Sequence, residues 1–292
     1  MIIIKINYYK FIMSISTDTT RSSQIITNIP NLNPSLRQYH NFIHDKDDID
    51  KFASIFTINA KHLALCMYLT MRRKYYPALS HGTTIVNRIA VSGGNDFIKR
   101  FHQSILRLET PVGTYTNGDQ IIPDQAFALY VMVEPKDTVK ALSRVLSRCM
   151  EAISDEEEMP NAYSLYREEI PKSDVKGQKY RQIDLDTKEI DKVQLVNELL
   201  TKLAVPIVIC IETNGGFHIV CTNDGNKETG RKLHELKQGT SFQKSNVNGK
   251  MVTDHWFSIT NHPTIIVPGT YQGGFSTRII SLFDWLIEKK SP

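Results

Sequence analysis

The chain has 292 residues, 41 % of them hydrophobic and 23 % charged, enough for one large core or two modest ones. A net charge of +4 and a pI near 8.7 accommodate a polyanionic partner without requiring one. Cys66, Cys149, Cys210 and Cys221 stand far apart with no CxxC spacing, which argues against zinc and for reduced core thiols in an intracellular protein.

The opening MIIIKINYYKFIM is interrupted by Lys5 and Lys10 and is too short to span a bilayer, so no membrane partner is expected. It carries no small-residue cleavage site. A weak organelle presequence, or a start at Met13, fits it better than secretion. A nuclear or cytoplasmic location is therefore expected ahead of a mitochondrial one. Residues 1–35 end in a stretch rich in Ser, Thr, Asn and Pro and read as a flexible leader.

Residues 36–155 form the next unit. Leu36 to Phe56 and Ala60 to Tyr75 are expected to be helical, the second with Leu63, Met67 and Thr70 on one side. Arg72, Arg73 and Lys74 then fall at a helix C-terminus, where the dipole favours them, although a phosphate-binding role suits the same cations. FALYVMV at 127–133 has the length and continuity of a buried strand, and the segment after EPKD has the apolar spacing of a helix through Val139, Leu142, Val145 and Cys149. Residues 156–179, acidic and then turn-rich, read as a long surface connection.

From 180 to 292 the elements crowd together. They comprise a strand at RQIDLD, a helix from Glu189 to Leu203, strands PIVICIET and FHIVCTN about a Gly-Gly turn, and a helix near Glu228 to Lys237. A polar NVNGK turn, strand-like MVTDHWFSI, the run PTIIVPGT and a helix from Ile279 to Ile287 follow. Strands and helices without regular alternation define an α+β protein.

Asp184 and Asp186 lie two apart on an extended segment, so both carboxylates leave one strand face and can converge on a hard divalent cation. An Asp186/Glu189 capping box is the competing explanation. His218 follows Gly215 and Gly216, whose lack of side chains lets backbone approach a ligand; a plain hairpin turn with an incidental histidine is the alternative. Asp254, on a strand-like segment, is either a third metal ligand or a solvent-facing acid. The glycine-rich VPGTYQGGF offers N–H donors to phosphate oxygens, and Tyr271 and Phe275 offer stacking surfaces.

In order, QIDLD, GGFH and VTD resemble the catalytic core of the archaeo-eukaryotic primase superfamily. In that family an acidic pair on one strand is followed by a small-x-His motif on a second and a final Asp on a third. TIIVPGTYQGGFSTRI is similar to the family segment beyond the last acid. The resemblance spans roughly residues 125 to 280. It implies a primase-polymerase-like core, with an RRM-like C-terminal sheet carrying the acidic site beside an N-terminal strand/helix module. It further implies that Asp184, Asp186 and Asp254 hold Mg2+ or Mn2+, and that His218, with Gly215, Gly216 and Arg278, contacts a nucleoside triphosphate. The implied partners are nucleoside triphosphates and DNA or RNA, and the implied activity is nucleotidyl transfer to a primer or an initiating nucleotide. A catalytically inactive nucleotide- or nucleic-acid-binding protein of the same fold is the alternative.

Overall fold

A computed structural model describes residues 38–79, 83–117, 120–177, 179–223, 227–240, 244–247, 250–253 and 256–290. The expected leader and Asp254 lie outside these residues. In chain order the elements begin with α1 (Lys46–Ile55), β1 (Leu63–Arg72), β2 (Thr83–Ser92) and α2 (Phe97–Leu106). A small hairpin, β3 (Thr116–Asn117) with β4 (Gln120–Ile121), leads to β5 (Phe127–Asp137), α3 (Thr138–Ser154) and α4 (Ala162–Glu169). Then come β6 (Tyr180–Leu185), α5 (Ile190–Lys202), β7 (Ile207–Glu212), β8 (Phe217–Thr222) and α6 (Lys227–Thr240). The chain closes with β9 (Lys244–Val247), β10 (Lys250–Thr253), β11 (Phe257–Thr260), β12 (Thr264–Ile266), β13 (Tyr271–Gln272), β14 (Phe275–Ser276), β15 (Arg278–Ile279) and α7 (Leu282–Lys290). The α+β class expected from the sequence is what forms.

Two antiparallel sheets organise the molecule. The first has the order β14-β13-β5-β1-β2, with β12 also paired to β5, and the second runs β11-β6-β8-β7-β15. In the second sheet each of β6 and β7 is antiparallel to β8, and β11 is antiparallel to β6. With α5 after β6 and α6 after β8, the pattern is β-α-β-β-α-β with a strand inserted inside each β-α-β pair, the split arrangement in which helices cover one sheet face. Alternation assigns the faces. Ile183, Leu185, Phe217, Ile219 and Cys210 pack with Val196, Leu236 and Trp285 of the helices, while Ile209, Ile211 and Val220 turn inward onto the core of the first sheet. Gln182, Asp184 and His218, at the alternate positions of β6 and β8, share that inward face.

The sequence reading of residues 60–75 as helix is wrong: β1 is a central strand. Leu65, Met67, Leu69 and Met71 enter the main core with α1 and α2, and Cys66 and Tyr68 enter a smaller one with Ala141 and Ile170. A strand buried on both faces loses its polar alternation, so apolar residues also fall at helical spacings by coincidence. Of the helix expected over 36–56, the described residues 38–56 are helical only in α1, where the Asp45 carboxylate caps the N–H groups of Asp47 and Asp48. Residues 156–179 are more than a connection. Asn161 caps α4, Leu165 and Ile170 are buried, and Glu169 is ion-paired to Lys172, Arg144 and Arg148.

The two sheets are tied together by polar contacts as well as by the core. The Glu134 carboxylate on β5 accepts from the N–H groups of Lys179 and Tyr180 at 2.8 and 2.7 Å, fixing the entry to β6. After β11 the chain returns to the first sheet. β12 pairs with β5, and its Thr264 and Ile266 N–H groups donate to Gln182 Oε1 and His218 Nδ1 on the second sheet at 3.1 and 3.2 Å. No helix among the described residues is long and apolar enough to cross a membrane.

Candidate functional site

The inward face of the second sheet meets the outer face of β1 and β5 in a cleft of about 590 Å³. Asp184 and His218 form its floor on one side, Thr70, Arg72 and Tyr130 on the other, and Pro171 and Lys172 from the segment after α4 close one wall. Asp184 and His218 are directly opposite in the β6/β8 register, with Nε2 of His218 3.5 Å from Asp184 Oδ1. Because His218 Nδ1 accepts from the Ile266 N–H, the proton of the neutral ring belongs on Nε2, facing Asp184. Burial, reinforced by Lys74 and Arg72, holds His218 down to about 3, so it stays neutral across the physiological range.

Asp184 behaves in the opposite sense. Burial is the largest cause, and the Asp186 carboxylate adds to it; together they raise Asp184 to about 6 against the pull of Lys74 and Arg72. Asp186 is exposed at the mouth, beyond the last residue of β6. Its N–H continues the pairing by donating to the Trp256 carbonyl at 2.8 Å. The capping-box explanation does not hold: Glu189 occupies the N-cap position of α5 without a side-chain cap, and Thr187 Oγ1 accepts the Glu189 N–H at 3.1 Å. Asp186 is not among the cleft-lining side chains, but its charge acts on both Asp184 and Lys74.

The Gly-Gly turn is a hairpin and also part of the site. Thr213 N–H donates to the Gly216 carbonyl at 2.8 Å, closing the β7–β8 connection. A Cβ on Gly216 would sit 1.8 Å from the Leu185 carbonyl oxygen and 2.7 Å from the Thr187 nitrogen, so glycine is what lets this turn lie against the end of β6. A Cβ on Gly215 would approach Asp186 Oδ1 at 3.5 Å and Lys74 Nζ at 3.9 Å, which sets the exposed Gly215 close to both the carboxylate and the ammonium.

The basic run 72–74 acquires its place only through the corrected strand. There is no helix dipole for it to serve. Arg72, the last residue of β1, donates from Nη1 to the Tyr130 hydroxyl at 2.7 Å and lies 5.7 Å from the Tyr75 ring centroid. Lys74 is lowered by burial and by Arg72, against the two aspartates, which raise it. The Tyr130 hydroxyl also accepts from Gln272 Nε2 at 3.2 Å, and Gln272 Oε1 in turn accepts the Asn214 N–H of the glycine turn at 2.7 Å. Arg72, Lys74, Tyr130 and Lys172 thus join a site that no local motif announces.

Other expected participants are engaged elsewhere. Arg278, on β15, donates to Glu212 at 2.8 Å and to Glu288 at 3.1 Å, and Lys188 and Trp285 also bond Glu212. It belongs to that ion-pair cluster and is not among the cleft-lining side chains. In VPGTYQGGF the N–H groups of Gly269 and Gly273 donate to Thr277 and Phe127 carbonyls, so they are spent on the fold. Tyr271 packs on His44 at 5.1 Å, and Phe275 lies 4.0 Å under the Lys188 ammonium. Asp254 lies outside the described residues. Among the described residues no cluster of three or more His, Cys, Asp or Glu side chains suited to a metal ion forms; the donors that do converge are the two carboxylates.

No family model, no curated protein and no solved structure matches the chain.

Proposed function

We propose that the cleft is the site of a primase-polymerase-like nucleotidyltransferase. The observation that carries the reading is the meeting of Asp184 and His218 on one end of a split β-α-β sheet, with Asp186 just beyond β6 and with Arg72 and Lys74, at and just after the end of β1, close enough to act on both Asp184 and His218. The split sheet is compatible with the RRM-like core that the motif order resembles.

Two close carboxylates, one of them raised because its neighbour is also negative, are a donor set that a hard divalent cation relieves. Asp184 and Asp186 would hold Mg2+ or Mn2+, which would supply charge neutralisation on a triphosphate. The protein's own groups do the rest. Lys74 and Arg72 oppose the phosphate charge, with the Arg72 guanidinium kept in position by Tyr130. Neutral His218 offers one Nε2–H donor, its other nitrogen being occupied by Ile266. The reaction joins a 3'-hydroxyl oxygen to the α-phosphorus of a nucleoside triphosphate, breaks the α-phosphorus bond to the bridging oxygen, and releases pyrophosphate and the hydroxyl proton to solvent, a transfer that depends on positioning and electrostatics.

The test is primer extension with labelled nucleoside triphosphates and manganese, comparing the native chain with Asp184→Ala. Incorporation by the native chain alone is expected; equal incorporation by both ends the assignment. Binding of nucleotide or nucleic acid with no incorporation by either chain selects the inactive binding protein of the same fold.

A further inference from the structure

A second cavity of about 570 Å³ adjoins the cleft, sharing Tyr68, Arg88 and Pro171 with it, between the outer face of β1 and β2 and the helices α3 and α4. Its lining carries Lys61, Arg88, Arg107 and Arg167 but not a single Asp or Glu. In a protein whose whole net charge is only +4, this is a strong local excess. None of the four forms an ion pair with a carboxylate among the described residues. Arg167 Nη2 donates to neutral Asn87 Oδ1 at 2.7 Å and its guanidinium lies 5.6 Å from the Tyr163 ring centroid, while Arg88 lies 6.0 Å from the Tyr68 ring.

Cations drawn together in a concave, partly desolvated space repel one another, and an anion entering it relieves that repulsion. Guanidinium groups present paired N–H donors that match phosphate oxygens, and Asn87 leaves Arg167 partly pre-oriented. Tyr163, 56 % exposed at the rim, adds an aromatic face to which a base can stack. The volume falls in the range of small-molecule sites.

We propose that this crevice is a second, metal-independent binding site for a nucleoside polyphosphate, adjoining the cleft at Arg88, its phosphates held by Lys61, Arg88, Arg107 and Arg167 and its base laid on Tyr163. The site neither uses Asp184 and Asp186 nor depends on transfer chemistry at the cleft. The same chemistry is presented by a free nucleotide and by a nucleotide unit within a strand.

Calorimetric titration of the full chain in EDTA, with a nucleoside triphosphate and separately with inorganic tripolyphosphate, tests it. Both should bind, the nucleotide at least tenfold more tightly. Lys61→Gln with Arg107→Gln, both exposed and outside the packed core, should weaken binding tenfold or more with an unchanged melting temperature. Arg167→Gln, which removes the guanidinium that Asn87 orients, should weaken it to a similar degree, and Tyr163→Ala should remove the preference for nucleotide over tripolyphosphate. Asp184→Asn should leave all of this intact. Displacement of the bound nucleotide by a short single-stranded oligonucleotide identifies a strand as the source, and resistance to displacement identifies the free nucleotide. Binding that is unchanged in the Lys61/Arg107 and Arg167 variants, or that vanishes with Asp184→Asn, overturns the proposal. Equal affinity for tripolyphosphate and nucleotide overturns the base-stacking part. Failure of primer extension bears only on the cleft and leaves this site standing.

Discussion

Replacing Asp184 by asparagine is expected to stabilise the metal-free protein at neutral pH. The carboxyl is raised from 3.8 to about 6, first by burial and then by Asp186. An acid whose folded value is raised favours the native state below its unfolded value and loses that contribution as pH rises through the folded value. Ionised Asp184 is therefore a cost above about pH 6. A rise of that size corresponds to ~3 kcal/mol at most. With 31 % of the side chain exposed, solvent screening brings this to about 1–2 kcal/mol. For a chain of this size that is roughly 2–3 °C in melting temperature. Asparagine keeps the shape and can still accept from His218, so the gain should survive the substitution. At pH 5 the advantage should shrink to about half, because native Asp184 is then largely protonated. His218, held down to about 3 in the fold, does not titrate in the native state over this interval, and its unfolded titration cancels between the two chains. Thermal melts of both chains in EDTA at pH 7.5 and pH 5 give the measurement. A variant less stable than the native chain at pH 7.5, or a difference that grows on acidification, would refute the electrostatic account.

Manganese added to the native chain should restore what the carboxylates cost and more, by ~2.7 kcal/mol at a hundred times its dissociation constant. Asp184→Asn should show little of that rise in a melt with increasing metal. Gly216→Ala should destabilise by about 2–4 kcal/mol, because the new Cβ meets backbone at Leu185 and Thr187 rather than a movable side chain; chemical denaturation is the check, and a neutral result would mean that the turn has room for a side chain after all. Asp174→Ala should cost about 3 kcal/mol, since it leaves the ammonium of Lys136, 1 % exposed, without its partner. Lys136→Met in the same background should recover most of the loss, and no recovery would mean that Asp174 acts through something other than this pair.

Much of the second sheet is legible in the sequence because its cues are local. RQIDLD, PIVICIET and FHIVCTN have strand length and composition, turn glycines separate the last two, and α5 begins within a residue of the expected position. FALYVMV and the apolar spacing after it likewise announce β5 and α3. The first sheet is harder to read. β1 is buried on both faces, so the polar half of the strand pattern is absent and LALCMYLTMR is compatible with either period. Misassigning that strand also hides Arg72 and Lys74, because cations at the end of an apparent helix already have an explanation.

By itself the sequence determined the strand that carries Asp184, the glycine turn before His218 and the α+β class, since each follows from residue spacing along a short stretch of chain; Asp186, expected on the same strand, falls one residue beyond its end. Tertiary structure alone decided that Asp184 faces His218 across two strands, that Asp186 does not cap the following helix, and that Arg278 is taken up by Glu212 and Glu288. It also brought Arg72, Tyr130 and Lys172, from three distant segments, to one cleft, and Lys74 within electrostatic reach of Asp184 and Asp186. Strand register and sheet packing set such meetings, and both are sums over long-range contacts that no window of sequence contains.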